Sequence, residues 1–216
     1  MIRDIDTTSV TPEALGAATP ANVTDAVNGI QVGGRNLIPY TNQAKDWYAN
    51  SATGNGASVA YTTFLGVTGA TITVTQSNSG WLYISKNTIG RSLIKSNQIY
   101  TISFDCQSNI TNNFNVIIQR GTATDALINF GNINLVANTV TYIVLTATST
   151  TVTTTGQVLY LGGFNIPGLI FTIANLKLES GTKATDWSPA PEDVDQNISN
   201  AQTAAQTYTT DIRELS

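Results

Sequence analysis

The segment Trp81-Leu82-Tyr83-Ile84 alternates two apolar characters, aliphatic at 82 and 84 and aromatic with polar tips at 81 and 83. With Leu82 and Ile84 in a core, Trp81 and Tyr83 face outward. Sugars present C–H faces that stack on aromatic rings and hydroxyls that need planar polar partners, so outward aromatics beside amides and carboxylates suit saccharide recognition. The same alternation turns Asn115 and Gln119 outward opposite Phe114, Val116 and Ile118, and Tyr160 outward between Leu159 and Leu161. Asp105 faces outward where Tyr100, Ile102, Phe104 and Cys106 face the core, and Arg120 ends its strand with donors for hydroxyls. The candidate carbohydrate-binding set is therefore Trp81, Tyr83, Asp105, Asn115, Gln119, Arg120 and Tyr160. An inverted assignment, with Trp81 and Tyr83 in the core and Leu82 and Ile84 against a helix or loop, satisfies the same pattern. Trp47 and Trp187 are expected in loops, as plugs at the ends of the domain.

Chemistry beyond binding is poorly supplied. The chain has no histidine for a triad and no Gly-Xaa-Ser-Xaa-Gly elbow. A glycosidase needs two carboxylates across a cleft, and the best pair is Asp105 with Asp125 or Asp46. No catalytic residue is assigned and the expectation is a non-enzyme. Charged residues make up 11% of the chain, with a net charge of -4 and 10 basic residues that form no run, so nucleic acid is not an expected partner. The lone Cys106 allows no internal disulfide and reads as a small core residue; without histidine there is no ordinary Cys/His zinc site. No apolar run has the length of a membrane span, and the N-terminus lacks a charged-then-apolar signal pattern, so no membrane partner is expected.

The elements that must hold these residues are short and alternating. Eight strands are expected, over 58–65, 70–75, 81–86, 98–106, 114–120, 140–148, 157–162 and 170–178, separated by turn signals at Gly69, Asn78-Ser79-Gly80, Lys95-Ser96-Asn97, Arg120-Gly121 and Ile166-Pro167-Gly168. Strands of this length without intervening helices predict an all-β fold, an antiparallel β-sandwich or jelly roll. Helical linkers flank it, a short one at the N-terminus and a longer one at the C-terminus. Residues 1–32 hold helix starts at Thr11-Pro12 and Thr19-Pro20 and read as a connector; 33–193 form the sandwich; 194–216 form the C-terminal helical segment. In that segment Val194, Ile198, Ala201, Ala205, Tyr208, Ile212 and Leu215 recur at alternating steps of four and three, a heptad seam. Self-association as a coiled coil is the favoured reading, and a helix packed back on the domain gives a similar stripe.

The stretch Leu176-Lys177-Leu178-Glu179-Ser180-Gly181-Thr182-Lys183-Ala184-Thr185-Asp186-Trp187-Ser188-Pro189-Ala190-Pro191-Glu192-Asp193 closes the β region, with two prolines expected to force an extended exit. Together with Gly33-Gly34-Arg35-Asn36-Leu37 and Tyr100-Thr101-Ile102-Ser103-Phe104, it resembles the jelly-roll carbohydrate-binding modules in tail proteins of phages that infect Gram-positive bacteria. The resemblance covers 33–193. It implies a non-catalytic adhesin module on the virion, in the phage tail, that binds host cell-wall polysaccharide. It also implies other tail proteins as partners and a homo-oligomer, with a trimer favoured through the C-terminal helix. The rival reading is a structural spacer or oligomerisation domain of a tail fibre. The resemblance transfers no binding site and no cofactor. A related group carries a structural calcium, for which Asn36, Asn175, Glu179 and Asp186 would be the oxygen donors here; no acidic cluster at calcium-ligand spacing is present, and no metal ligand is assigned.

Overall fold

The computed structural model describes residues 34–51, 56–76, 80–84, 94–120, 126–151, 157–164 and 166–214. The expected N-terminal connector lies outside them. Among the described residues ten strands run β1 (Trp47–Ser51), β2 (Ala57–Phe64), β3 (Val67–Val74), β4 (Gly80–Ile84), β5 (Ile99–Ser108), β6 (Asn112–Arg120), β7 (Ala126–Leu135), β8 (Thr141–Thr148), β9 (Gln157–Phe164) and β10 (Ile170–Ser180). They are followed by the helix α1 (Pro191–Glu214). The strands pair antiparallel in two five-stranded sheets, β1-β4-β9-β6-β7 and β2-β3-β10-β5-β8, giving the sandwich that the alternation predicts. We name these the first and second sheets.

Alternation decides what fills the space between them. Tyr100, Ile102, Phe104 and Cys106 of β5, Ile72 and Val74 of β3, Phe114, Val116 and Ile118 of β6, and Leu159 and Leu161 of β9 are all buried. Phe114 of the first sheet meets Phe171 of the second edge-on, with centroids 5.0 Å apart, a favoured aromatic geometry. Burial first, and the neighbouring Asp105 charge second, push the Cys106 thiol up to about 12.

Two strands depart from the expected set. Trp47 opens β1 as a core residue rather than plugging a loop. In β7, Leu127, Ile128, Phe130, Ile133 and Leu135 are all buried; register shifts opposite Val116/Ile117 and opposite Ile118/Gln119 interrupt their period of two. The β2–β3 turn is also displaced. It is made by Leu65 and Gly66, both at positive φ (50° and 82°), the two-residue form whose twist suits a hairpin. Gly69 lies inside β3 instead, where a β-carbon would come 2.7 Å from the Ile173 carbonyl oxygen.

The closing stretch folds back on the second sheet. Lys177 pairs in register with Ser103, and Glu179 with Thr101, so these charges lie on the outward rows, yet all four residues are buried. The Lys177 ammonium sits 3.6 Å from Glu179 and donates to the Thr185 hydroxyl and to the Asp186 carbonyl. Glu179 accepts from the Thr185 amide and hydroxyl at 2.7 and 2.8 Å. Asn36 anchors the opening segment beneath: its Nδ2 donates to the carbonyls of Leu176 and Ser188, and its Oδ1 accepts from the amides of Ile38 and Leu178. Trp187 donates through Nε1 to the Thr41 hydroxyl.

The helix begins at Pro191, not after it. Proline lacks an N–H that the first helical turn leaves unpaired anyway, and the carboxylate of Asp193 accepts from the Ala190 and Tyr40 amides, in the manner of a capping box. Burial raises the Asp193 carboxyl above its ordinary value, against the lowering effect of those backbone bonds. Arg35 pairs with Glu192, the residue before Asp193 in the helix.

Two outcomes follow from this packing. In the folded protein Cys106 should stay unlabelled by a thiol reagent at neutral pH, with modification tracking the denaturation curve; fast labelling without denaturant would contradict its burial. Lys177→Met should destabilise the domain by about 3–5 kcal/mol in urea denaturation, because it strands the buried Glu179 charge; a loss below about 1 kcal/mol would mean that the pair is hydrated.

Candidate carbohydrate-binding face

Register across the first sheet sorts its side chains into rows. Leu82 pairs with Ala49 and Leu161, and Leu161 with Val116, a core row. Tyr48 pairs with Tyr83, Tyr83 with Tyr160, Tyr160 with Ile117, and Ile117 with Asn129. This second row has the opposite parity. It crosses all five strands and therefore extends about 19 Å at ordinary strand spacing. A parallel row runs Asn50, Trp81, Gly162, Asn115, Asn132. Tyr48 is 45% exposed, Tyr160 and Asn115 are half-buried, and Asn113, Asn129, Asn132 and Asn134 are exposed. Ile117 is buried within its row.

Of the seven sequence-derived candidates, Asn115 and Tyr160 come together on this outer face through the pairing of β6 with β9. Positions 81 and 83 fall on the same two rows; their side chains, and those of Gln119 and Arg120, lie outside the described ones. By backbone register Gln119 pairs with Val158, and Arg120 with Gln157. Asp105 does not join them. It belongs to β5 in the second sheet, paired with Tyr142 and Ala174, and its Oδ2 accepts from Asn175 Nδ2 at 2.9 Å. Of the carboxylates considered as its catalytic partner, Asp125 lies outside the described residues.

Apart from Asn115, sequence reasoning missed the residues that give this face its polar half. Asn113 and Asn115 on β6 stand beside Asn129, Asn132 and Asn134 on β7. Asn113 Nδ2 donates to Asn134 Oδ1 at 2.6 Å, and Asn115 Nδ2 donates to Asn132 Oδ1 at 3.0 Å and to the Gly131 carbonyl at 3.1 Å. The recurring Asn in Asn129-Phe130-Gly131-Asn132-Ile133-Asn134 was the available signal. None of the described side chains in these rows is charged at neutral pH. Tyrosine rings at one end and carboxamides at the other can stack on a sugar ring and hydrogen-bond its hydroxyls.

Three of the four side chains considered for calcium, Asn36, Asn175 and Glu179, do not fit a cation. Both Glu179 oxygens face Thr185 and the Lys177 ammonium, and Asn36 Oδ1 is held by two backbone amides. Asn175 Oδ1 accepts from Asn42. Among the described residues no three acidic, histidine or cysteine side chains converge as a metal site.

No protein-family profile and no curated protein matches the sequence. Solved structures do match the fold. The N-terminal cellulose-binding domain of Cellulomonas fimi β-1,4-glucanase C superposes with a TM-score of 0.51 at 12% identity, over 70% of this chain and 99% of that one. A CBM4 structure gives 0.48 at 14% identity, over 66% and 99%. The arabinose-bound α-L-arabinofuranosidase MgGH51 gives 0.52 at 16% identity, over 69% of this chain and 27% of the enzyme. The chain has the β-sandwich fold of carbohydrate-binding modules.

Proposed function

We propose that this protein is a non-catalytic carbohydrate-binding module of a phage tail, which attaches the virion to host cell-wall saccharide through the outer face of the first sheet. The observation that carries the reading is the row of Tyr48, position 83 and Tyr160 running into the asparagines of β6 and β7. Aromatic and amide groups so arranged supply both halves of sugar recognition. The tail assignment is supported by the closing stretch from Leu176 to Asp193, where the family resemblance is densest. With it come other tail proteins as neighbours.

A homo-oligomer, trimer favoured, completes the reading. Val194 and Ile198 of the α1 seam are 42% and 51% exposed, and Ala201 and Ala205 are exposed too. A helix rich in Thr, Asn and Gln, with its apolar stripe in water, gains little from propensity and needs a partner to be stable. Further copies of the same seam supply one. Joining several weak sugar sites in one assembly raises apparent affinity by about 10²–10⁴ without new contacts.

Sedimentation of the full chain with purified Gram-positive cell walls tests the binding reading: Tyr160→Ala should weaken it about tenfold, from the loss of one stacking ring, and unchanged binding would remove the face from consideration. Ile198→Asp should convert the oligomer to monomer in light scattering and weaken wall binding by more than Tyr160→Ala does. A parent chain that is strictly monomeric would refute the avidity part alone.

A further inference from the structure

We infer that Asn115, Asn129 and Asn132 form the specificity-determining subsite of this face, selecting neighbouring hydroxyls of an uncharged sugar over the acceptor-only groups of an anionic polymer. The inference rests on the carbohydrate reading above and adds which groups discriminate.

The argument starts at the irregularity in β7. Val116 pairs with Gly131 and Ile117 with Asn129, so Phe130 is an extra residue, and Gly131 sits at a φ of 93°. This is a β-bulge, a device that re-aims side chains at the cost of local pairing. Its backbone polar groups turn toward the asparagines. The Gly131 amide donates to Asn129 Oδ1 at 2.9 Å, and the Gly131 carbonyl accepts from Asn115 Nδ2 at 3.1 Å. A carbonyl only accepts and an amide N–H only donates, so the bulge fixes which way each carboxamide points. Asn132 follows, because its Oδ1 takes the second Asn115 hydrogen at 3.0 Å.

The outcome is a polarised pair of lanes. On β6, Asn115 spends its NH₂ within the sheet and leaves Oδ1 as an acceptor. On β7, Asn129 and Asn132 spend their oxygens and leave NH₂ groups as donors. The Asn113-to-Asn134 bond repeats the same sense one step along. Acceptors and donors therefore stand in parallel about one strand spacing, roughly 4.8 Å, apart. A sugar hydroxyl both donates and accepts, so one hydroxyl can donate to Asn115 while its neighbour on the ring accepts from Asn132. Phosphate and carboxylate oxygens only accept. They can use the Asn129 and Asn132 donors but meet the Asn115 oxygen as a repulsion, where a hydroxyl pair uses both lanes, and none of the described side chains on the face is cationic to offset it.

The test uses the full chain in calorimetric titration with neutral hexasaccharides of glucose, mannose and xylose, and with polygalacturonate and poly(glycerol phosphate) as anionic probes. The parent should bind at least one neutral hexasaccharide and neither polyanion. Asn115→Ala and the exposed Asn132→Ala should each weaken the neutral sugar about tenfold, the size of one lost hydrogen bond, and should flatten the preference among the three sugars, which a purely structural role would leave intact. If Tyr160→Ala weakens binding while both asparagine variants keep parental affinity and preference, the inference fails and the carbohydrate reading stands. Tighter binding of a polyanion than of every neutral sugar overturns the inference as well. If the parent binds none of the probes or cell walls, the carbohydrate reading itself falls.

Discussion

Asn36 is the small group on which the architecture closes. Its side chain is fully buried and uses its donors on two carbonyls and its oxygen on two amides, drawn from the opening segment, the last strand and the closing stretch. A buried carboxamide is tolerated only when it is satisfied, since each stranded donor or acceptor costs about 1–3 kcal/mol. Strand β10 and the segments on either side of the sandwich must therefore arrive together. Thr185 and the Lys177–Glu179 pair extend the same logic outward, a charged couple whose burial is tolerable because hydroxyl, amide and carbonyl groups surround it.

This closure divides the labour between the sheets. On the second sheet, the outward rows around Ser103, Thr101, Lys177 and Glu179 are buried and committed to holding the chain ends. The first sheet keeps tyrosines and the asparagines of β6 and β7 on its outward rows, where bonds run between side chains of adjacent strands. The closure also sets the helix: Asp193 binds Tyr40 of the opening segment and caps α1 in one arrangement, while Arg35 reaches Glu192. The domain and the start of the helix are thus tied by bonds that belong to the same lock.

Much of the fold was legible because core rows obey period two. The eight expected strands lie on strands of the sandwich, and β5 and β9 bury the side chains that alternation assigns to the core. The failures have physical causes. Leu65 is not a turn-forming residue type, so the sequence points to Gly69 for the β2–β3 turn, a residue whose missing side chain serves backbone packing. Strand β7 is not legible from alternation because two register shifts against β6, one of them inserting Phe130, switch its parity along its length. Alternation also tells inside from outside but not which sheet a strand joins; hence Asp105 was grouped with Asn115 and Tyr160, although a strand order in which β6 neighbours β9 and β5 neighbours β10 separates them. The expected extended exit at Pro191 overlooked that proline fits the first helical turn.

The bulge that hid β7 from a reading of periodicity is also what orients the asparagines. A regular strand would have continued the in–out pattern past Ile128 and turned its backbone groups into the ladder with β6; beside the extra residue, the Gly131 amide and carbonyl hold two side chains. The cost falls on pairing at one edge of the first sheet, where an edge strand has no further neighbour to lose. Each amide bond so fixed is worth little by itself in water. What fixing contributes is geometry, because a carboxamide already held in place gives up less freedom when it meets a hydroxyl than one that must be ordered by the ligand. On the proposed reading, a neutral face of this kind binds weakly per copy and the seam of α1 joins the copies. Local irregularity and assembly are two answers to the same physical limit, the small net free energy of neutral hydrogen bonds in water.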